Sequence, residues 1–144
     1  MDNAVKRPST VFWVIAVLAV LWNLVGVLSY LADAFMSLDD LAQLPEDQQK
    51  LYAVRPAWVT GAFAIAVWAG LLGSIALLFR KKWAKTLYII SFLGVIVQNV
   101  YQFFLSNTFE VFGKSAMVFP VIIIIISILL VLYSKKLHEK GILS

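Results

Sequence analysis

PAWVTGAFAIAVWAGLLGSIALLFRKKWAK, residues 56–85, combines a spanning helix, a packing ridge and a topology signal in one run. Ala57 to Phe79 carries no charged residue. At 1.5 Å per residue this run is roughly 34 Å long, enough for a hydrocarbon core of about 30 Å. Ala62, Ala66, Gly70 and Ser74 recur at every fourth position. Such a ridge of small side chains lets a second backbone approach closely where lipid tails remove the hydrophobic drive for association. Arg80, Lys81, Lys82 and Lys85 follow at once, the kind of cluster that stays cytoplasmic.

Composition agrees with the run. Of 144 residues, 62% are hydrophobic and 14% charged, and the mean hydropathy is +0.89. Soluble domains carry roughly 25% charged residues, so a soluble globular fold is excluded. The length accommodates about four spans with short connections, leaving no room for a second domain, so residues 1–144 read as a single integral membrane domain. The net charge of +4 would suit nucleic acid, but the basic residues flank apolar spans, where lipid headgroups and topology account for them. Nucleic acid is therefore not expected as a partner; the bilayer is. Zero cysteines and one histidine rule out a disulfide framework and the usual zinc constellations, and nothing calls for a cofactor or a metal.

Outward from the central run, Lys6 and Arg7 precede an apolar stretch over about 10–31, the first span. Ala32-Asp33-Ala34 resembles a signal-peptidase cue, but the apolar run exceeds the roughly 7–15 residues of a signal core, so a span is expected. Residues 33–55 turn polar and acidic and form an extramembrane segment. Ser37 suits a helix N-cap, and Pro45 the first position of a second short helix running towards Tyr52. Leu38, Leu41, Leu44 and Leu51 give the segment an apolar side, for the membrane surface or for capping the bundle. A third span covers 86–105, residues 106–116 read as a loop, and a fourth span covers 118–133 with Pro120 in its first turn and Gly141 as a stop beyond it. The fourth is nearly all Ile, Leu and Val and is expected to be the most lipid-exposed. The fold class is thus all-α: a transmembrane four-helix bundle with a short extracytoplasmic helical segment between spans one and two.

Lysines and arginines divide nine to three between the two sides, with Lys50, Arg55 and Lys114 opposite the rest, which places both termini in the cytoplasm. Trp13, Trp58, Trp83 and Tyr133 lie near span ends, where amphipathic rings favour the headgroup level.

No Asp, Glu, Lys, Arg or His falls inside these four spans, which disfavours a proton-coupled cation exporter. Neutral polar groups take their place. Asn23, Gly26 and Tyr30 share one face of the first span, and Ser91, Gln98 and Gln102 one face of the third. Counted from the span starts, Asn23 lies about 20 Å and Gln98 about 18 Å deep, so the two are expected at one level. Two readings follow. The stripes hydrogen-bond across the helix pair, worth about 0.6–2 kcal/mol in membranes, or they line a polar cavity with Trp22 and Trp68 as aromatic walls for a neutral solute such as a sugar. Enzyme motifs fail: Gly113-Lys114-Ser115 imitates the end of a phosphate loop, but Thr108 stands where its first glycine is required. His138 sits in a basic tail with no nucleophile beside it, so no catalytic residue is expected.

Trp22-Asn23-Leu24-Val25-Gly26, Leu51-Tyr52, Pro56-Ala57-Trp58-Val59-Thr60 and Arg80-Lys81-Lys82-Trp83-Ala84 together resemble small four-span bacterial inner-membrane proteins, a family often labelled sugar transporters. The resemblance implies a bacterial inner membrane and a transport role, and carries no catalytic or binding motif. Three functional classes are therefore expected in play: a facilitator of a small neutral solute, acting as a dimer through an exposed Ala62–Ser74 ridge; an accessory protein packing by that ridge against another membrane complex; and, with least support, an enzyme at the lipid interface.

Overall fold

The computed structural model describes residues 7–144, so Lys6 lies outside the described residues. Four helices are long and apolar enough to cross a membrane. Helix α1, Thr10–Ala34, starts where the Ser9 hydroxyl accepts the Phe12 N–H at 3.2 Å. Ser37 caps α2, Leu38–Ala42, in the same way, accepting the Asp40 N–H at 3.0 Å. Pro45 stands at the N-cap of α3, Glu46–Val54, one position before the first helical residue and not at that first position as the sequence pattern suggests. The spanning α4, Ala57–Leu78, and α5, Ala84–Val100, follow, and α5 runs on through a wider π-helical turn at Tyr101–Leu105. The stretch expected as a loop is instead ordered as the short α6, Thr108–Phe112, and a 3₁₀ turn at Lys114–Met117, with Gly113 at φ +92° between them. Such tight turns answer backbone groups that a loop over an apolar bundle would leave unpaired. Helix α7, Val118–Glu139, closes the chain and extends past the expected span by one and a half turns.

Helices α4 and α5 form the central seam, α1 packs on α4 and α7 on α5. Glycine decides how near α4 and α5 come. A Cβ at Gly94 would stand 2.8 Å from the Ala62 carbonyl oxygen and 2.9 Å from the Ala66 nitrogen, so these backbones touch directly. Ala62, Ala66, Gly70 and Ser74 are all buried, between α5 and α1. The ridge therefore packs within the chain, which corrects the expectation of an exposed ridge open to a second copy or another complex: α5 already occupies the close-approach surface. The Ile-rich α7 fully buries only Ser134 and Leu137; one face, with Ile123, Ile126 and Leu130, is half-buried towards the bundle and the other, with Ile125, Leu129 and Leu132, is exposed.

One end of the bundle is sealed by an apolar plug of Phe12, Ala16, Ala76, Leu77, Ala84, Tyr88, Leu137 and Leu143. The start of α1, the α4–α5 turn and the end of α7 therefore share one end, together with the Arg80–Lys85 and Lys135–Lys140 clusters. The chain turns there by two equivalent helix stops. Arg80 adopts φ +59°, its N–H reaching Leu77 O at 2.9 Å and the Lys81 N–H reaching Ala76 O at 2.8 Å. Gly141 at φ +77° ends α7 with the matching pair, to His138 O and from Ile142 to Leu137 O. The tail then docks on Arg80: its Nε donates to Ile142 O at 3.0 Å, and its carbonyl accepts the Ser144 N–H at 2.8 Å.

Candidate functional site

Above the plug, the four spanning helices enclose a cavity of about 240 Å³. α1 contributes Trp22, Asn23 and Gly26, α4 Phe63, Ala66 and Val67, α5 Tyr88, Ser91, Gln98, Asn99 and Gln102, and α7 Phe119, Pro120 and Ser127. Three sides are helix seams. Between α1 and α7 there is no comparable seam, and the Trp22 and Phe119 rings, 6.1 Å apart, stand across the gap.

The cavity floor is a hydrogen-bond chain. Asn23 Nδ2 donates to Ala19 O at 2.8 Å and to Ser74 Oγ at 2.9 Å, and Ser74 Oγ lies 2.9 Å from Gly70 O and 2.8 Å from the Tyr88 hydroxyl. A serine has one proton to give, and the Gly70 carbonyl can only accept, so Tyr88 donates to Ser74. The chain ties α1, α4 and α5 together at one level. Ser91 Oγ adds a second tie to α4, donating to Ala66 O at 2.6 Å. Gly70 leaves room for this floor: a Cβ there would overlap the Asn23 carboxamide oxygen and approach Ser91 Oγ at 3.1 Å.

The wall above the floor is less satisfied. Among the described residues, no hydrogen bond joins the Gln98 or Gln102 side chains to the protein. Asn99 is 7% exposed; its Nδ2 donates to Val95 O at 2.8 Å, while its carboxamide oxygen is buried with no donor in reach. Leaving a polar atom buried and unpaired costs about 1–3 kcal/mol, so this oxygen, covered by the surrounding protein, is a local cost in the wall.

A second chamber of about 160 Å³ lies at the outer end, lined by Asp33 of α1, Leu51, Tyr52 and Arg55 of and beyond α3, Thr60 of α4 and Tyr101 of α5. Phe63, Gln98 and Gln102 belong to both chambers. Arg55 Nη1 stands 2.8 Å from Asp33 Oδ2 but off the N–H axis, so the contact is an ion pair rather than a directed hydrogen bond. The Arg55 guanidinium also lies 5.1 Å over the Tyr52 ring. Burial and then the Asp33 carboxylate push the Tyr52 phenol above its ordinary range, with Arg55 opposing, so it stays protonated as a donor at neutral pH.

Of the residues singled out by sequence, Asn23, Ser91, Gln98, Gln102 and Trp22 meet around one cavity. Tyr30 and Trp68 do not. Tyr30 packs edge-to-face on Phe63, with centroids 5.3 Å apart, and Trp68 is 42% exposed on the outer face of α4. Asn23 pairs with Ser74 and lies level with Ser91 rather than Gln98: Asn23 stands about three and a half turns above the start of α1 and Ser91 about two above the start of α5, so α1 starts lower in the bundle than α5. Sequence reasoning missed Tyr88 and Asn99. Both continue the α5 stripe, three residues before Ser91 and Gln102 respectively, and extending the i, i+3, i+4 pattern finds them.

Fold and site together define a multi-pass α-helical membrane protein with a partly open, mainly apolar cavity between its spans that carries several neutral polar side chains. Compared with protein-family models, curated proteins and solved structures, the chain finds no match.

Proposed function

We propose that the protein is a facilitator for a small neutral solute bearing hydroxyl groups, held between α1, α4, α5 and α7. The observation that carries this reading is the pair of Gln98 and Gln102 carboxamides on the cavity lining, whose side chains, among the described residues, make no hydrogen bond to the protein. Each carboxamide both gives and accepts hydrogen bonds, as a solute hydroxyl does. No charged side chain lines the inner cavity, so an ionic solute would have no counter-charge there. Its volume of about 240 Å³ lies below the roughly 300–1,000 Å³ of drug-sized sites, which favours a molecule of monosaccharide or polyol size. The cavity is complete within one chain, and the reading needs no second copy. The resemblance to small four-span proteins labelled sugar transporters supports the same class. It also supports a bacterial inner membrane, with the Arg80–Lys85 end and both termini cytoplasmic by the distribution of lysine and arginine.

The test is uptake of labelled sugars and polyols into proteoliposomes holding the purified protein. Uptake of at least one solute should fall about tenfold or more in Asn99→Leu and Gln98→Leu and persist in Leu93→Val, a change on the outward face of α5. Uptake that is absent across the panel, or indifferent to both cavity variants, refutes the reading.

A further inference from the structure

We propose that the outer chamber is an access subsite for hydroxylated neutral solutes, closed by the Asp33–Arg55 ion pair and handing its occupant to the inner cavity through Gln98 and Gln102. The proposal rests on the facilitator reading and gives that site a direction. Three features converge on it. The first is continuity. Phe63, Gln98 and Gln102 form a wall common to both chambers, and the two carboxamides have no protein partner to hold them on either side. A solute moving between chambers therefore keeps hydrogen-bonding groups beside it, which offsets the loss of water along the way.

The second is that the opposite end is shut. Below the cavity the Asn23–Ser74–Tyr88 chain spans three helices, and beneath it the apolar plug reaches to Leu143. A hydroxylated solute would find no polar partner there, so the outer chamber is the polar way in.

The third is the closing contact itself. Asp33 lies in the last turn of α1 and Arg55 follows α3, so their pair fastens the outer segment across the mouth of the bundle. Their side chains are 17% and 24% exposed, so the pair is a mostly buried link between the outer segment and α1, and losing one charge releases it. Once apart, a carboxylate offers acceptors, a guanidinium offers donors, and the Tyr52 ring offers a flat face to the C–H side of a sugar ring. The change of winding at Tyr101–Leu105 also falls on Gln102; single π turns of this sort recur at functional sites.

The chain has no cysteine, so a single introduced thiol reports on one position. Gln98→Cys is labelled in sealed vesicles of each orientation with a membrane-impermeant maleimide. Labelling should proceed only when the reagent faces residues 36–54. It should quicken at least fivefold when Asp33→Asn is added and return to its original rate in the charge-exchanged pair Asp33→Arg with Arg55→Asp. The far-UV circular dichroism and detergent-unfolding midpoint of the Asp33→Asn variant should match those of the parent, showing that the bundle stays folded. Labelling from the Arg80 end, a rate indifferent to Asp33→Asn, or faster reaction with a membrane-dissolved thiol reagent through the α1–α7 gap each overturns the proposal. The readout is independent of transport. Gated labelling in a protein without uptake sinks the facilitator reading and leaves the access route, whereas uptake with ungated labelling does the reverse.

Discussion

Gly94→Ala measures the seam on which both chambers depend. The added methyl would sit 2.8 Å from the Ala62 carbonyl oxygen and 2.9 Å from the Ala66 nitrogen, both backbone atoms in the middle of α4 with no rotamer to yield. Reaching the roughly 3.5 Å at which carbon contacts become favourable requires α4 and α5 to part by about 0.7 Å locally. A gap of about 0.5–1 Å already forfeits a quarter to a half of the dispersion well of neighbouring atoms, and overpacking of this kind costs about 1–3 kcal/mol. Against it stands the helix propensity of alanine over glycine, about 1 kcal/mol. Gly61→Ala supplies the comparison: it shares the propensity gain, lies on the facing helix α4, and meets nothing within 4 Å. The difference between the two variants therefore isolates the clash at about 1–3 kcal/mol. Reversible unfolding in mixed detergent micelles, followed by far-UV circular dichroism, reads it directly. If Gly94→Ala is as stable as Gly61→Ala, the two backbones are not in contact and the burial of the Ala62–Ser74 ridge is misjudged.

Ser74→Ala removes the acceptor shared by Asn23 and Tyr88 and should cost about 1–2 kcal/mol in the same assay; a double-mutant cycle with Tyr88→Phe should give a coupling of about 0.5 kcal/mol or more, and strict additivity would show that the floor is not one chain. Gly141→Ala places a side chain at φ +77° and should destabilise by about 1 kcal/mol, seen as a lowered thermal midpoint and faster proteolytic clipping of residues 141–144; an unchanged tail would mean the helix stop does not hold it. Tyr52 has its folded pKa raised, so its contribution is complete below the unfolded value near 10 and is lost as pH climbs through the folded one. The tyrosinate absorbance missing from Tyr52→Phe should therefore titrate above 10, and a midpoint below it would contradict the buried phenol beside Asp33.

How much of this was legible in the chain depends on the kind of signal. The four spans could be read because burial in hydrocarbon is a property of a whole run, and Ala57–Phe79 needs no partner to declare it. The helix ends at Ser37 and Gly141 could be read because a cap is made by residues a few positions apart. The segregation of basic residues to one end follows from having an even number of spans. Residues Asn23, Ser91, Gln98 and Gln102 could be suspected of facing inward, since a polar side chain in lipid seeks protein.

Tertiary structure decided the rest. Trp68 faces outward and Phe63 inward although both are apolar, because a helix surrounded by lipid tails has no polar face to orient it, and close fit does so instead. The partner of Asn23 is Ser74 of α4, and its level is that of Ser91 because α1 starts lower in the bundle than α5, an offset that no single run of sequence carries. The ridge that reads as a surface for a second molecule is covered by Gly94 of the same chain, and small residues four apart carry no mark of which helix will meet them. The pairing of Asp33 with Arg55 likewise belongs to the folded chain alone, since it depends on how α3 crosses the mouth of the bundle. Sequence determines which segments enter the membrane because transfer from water acts on each segment by itself; which faces meet, and at what depth, is settled by contacts between segments, and those exist only once the helices have packed.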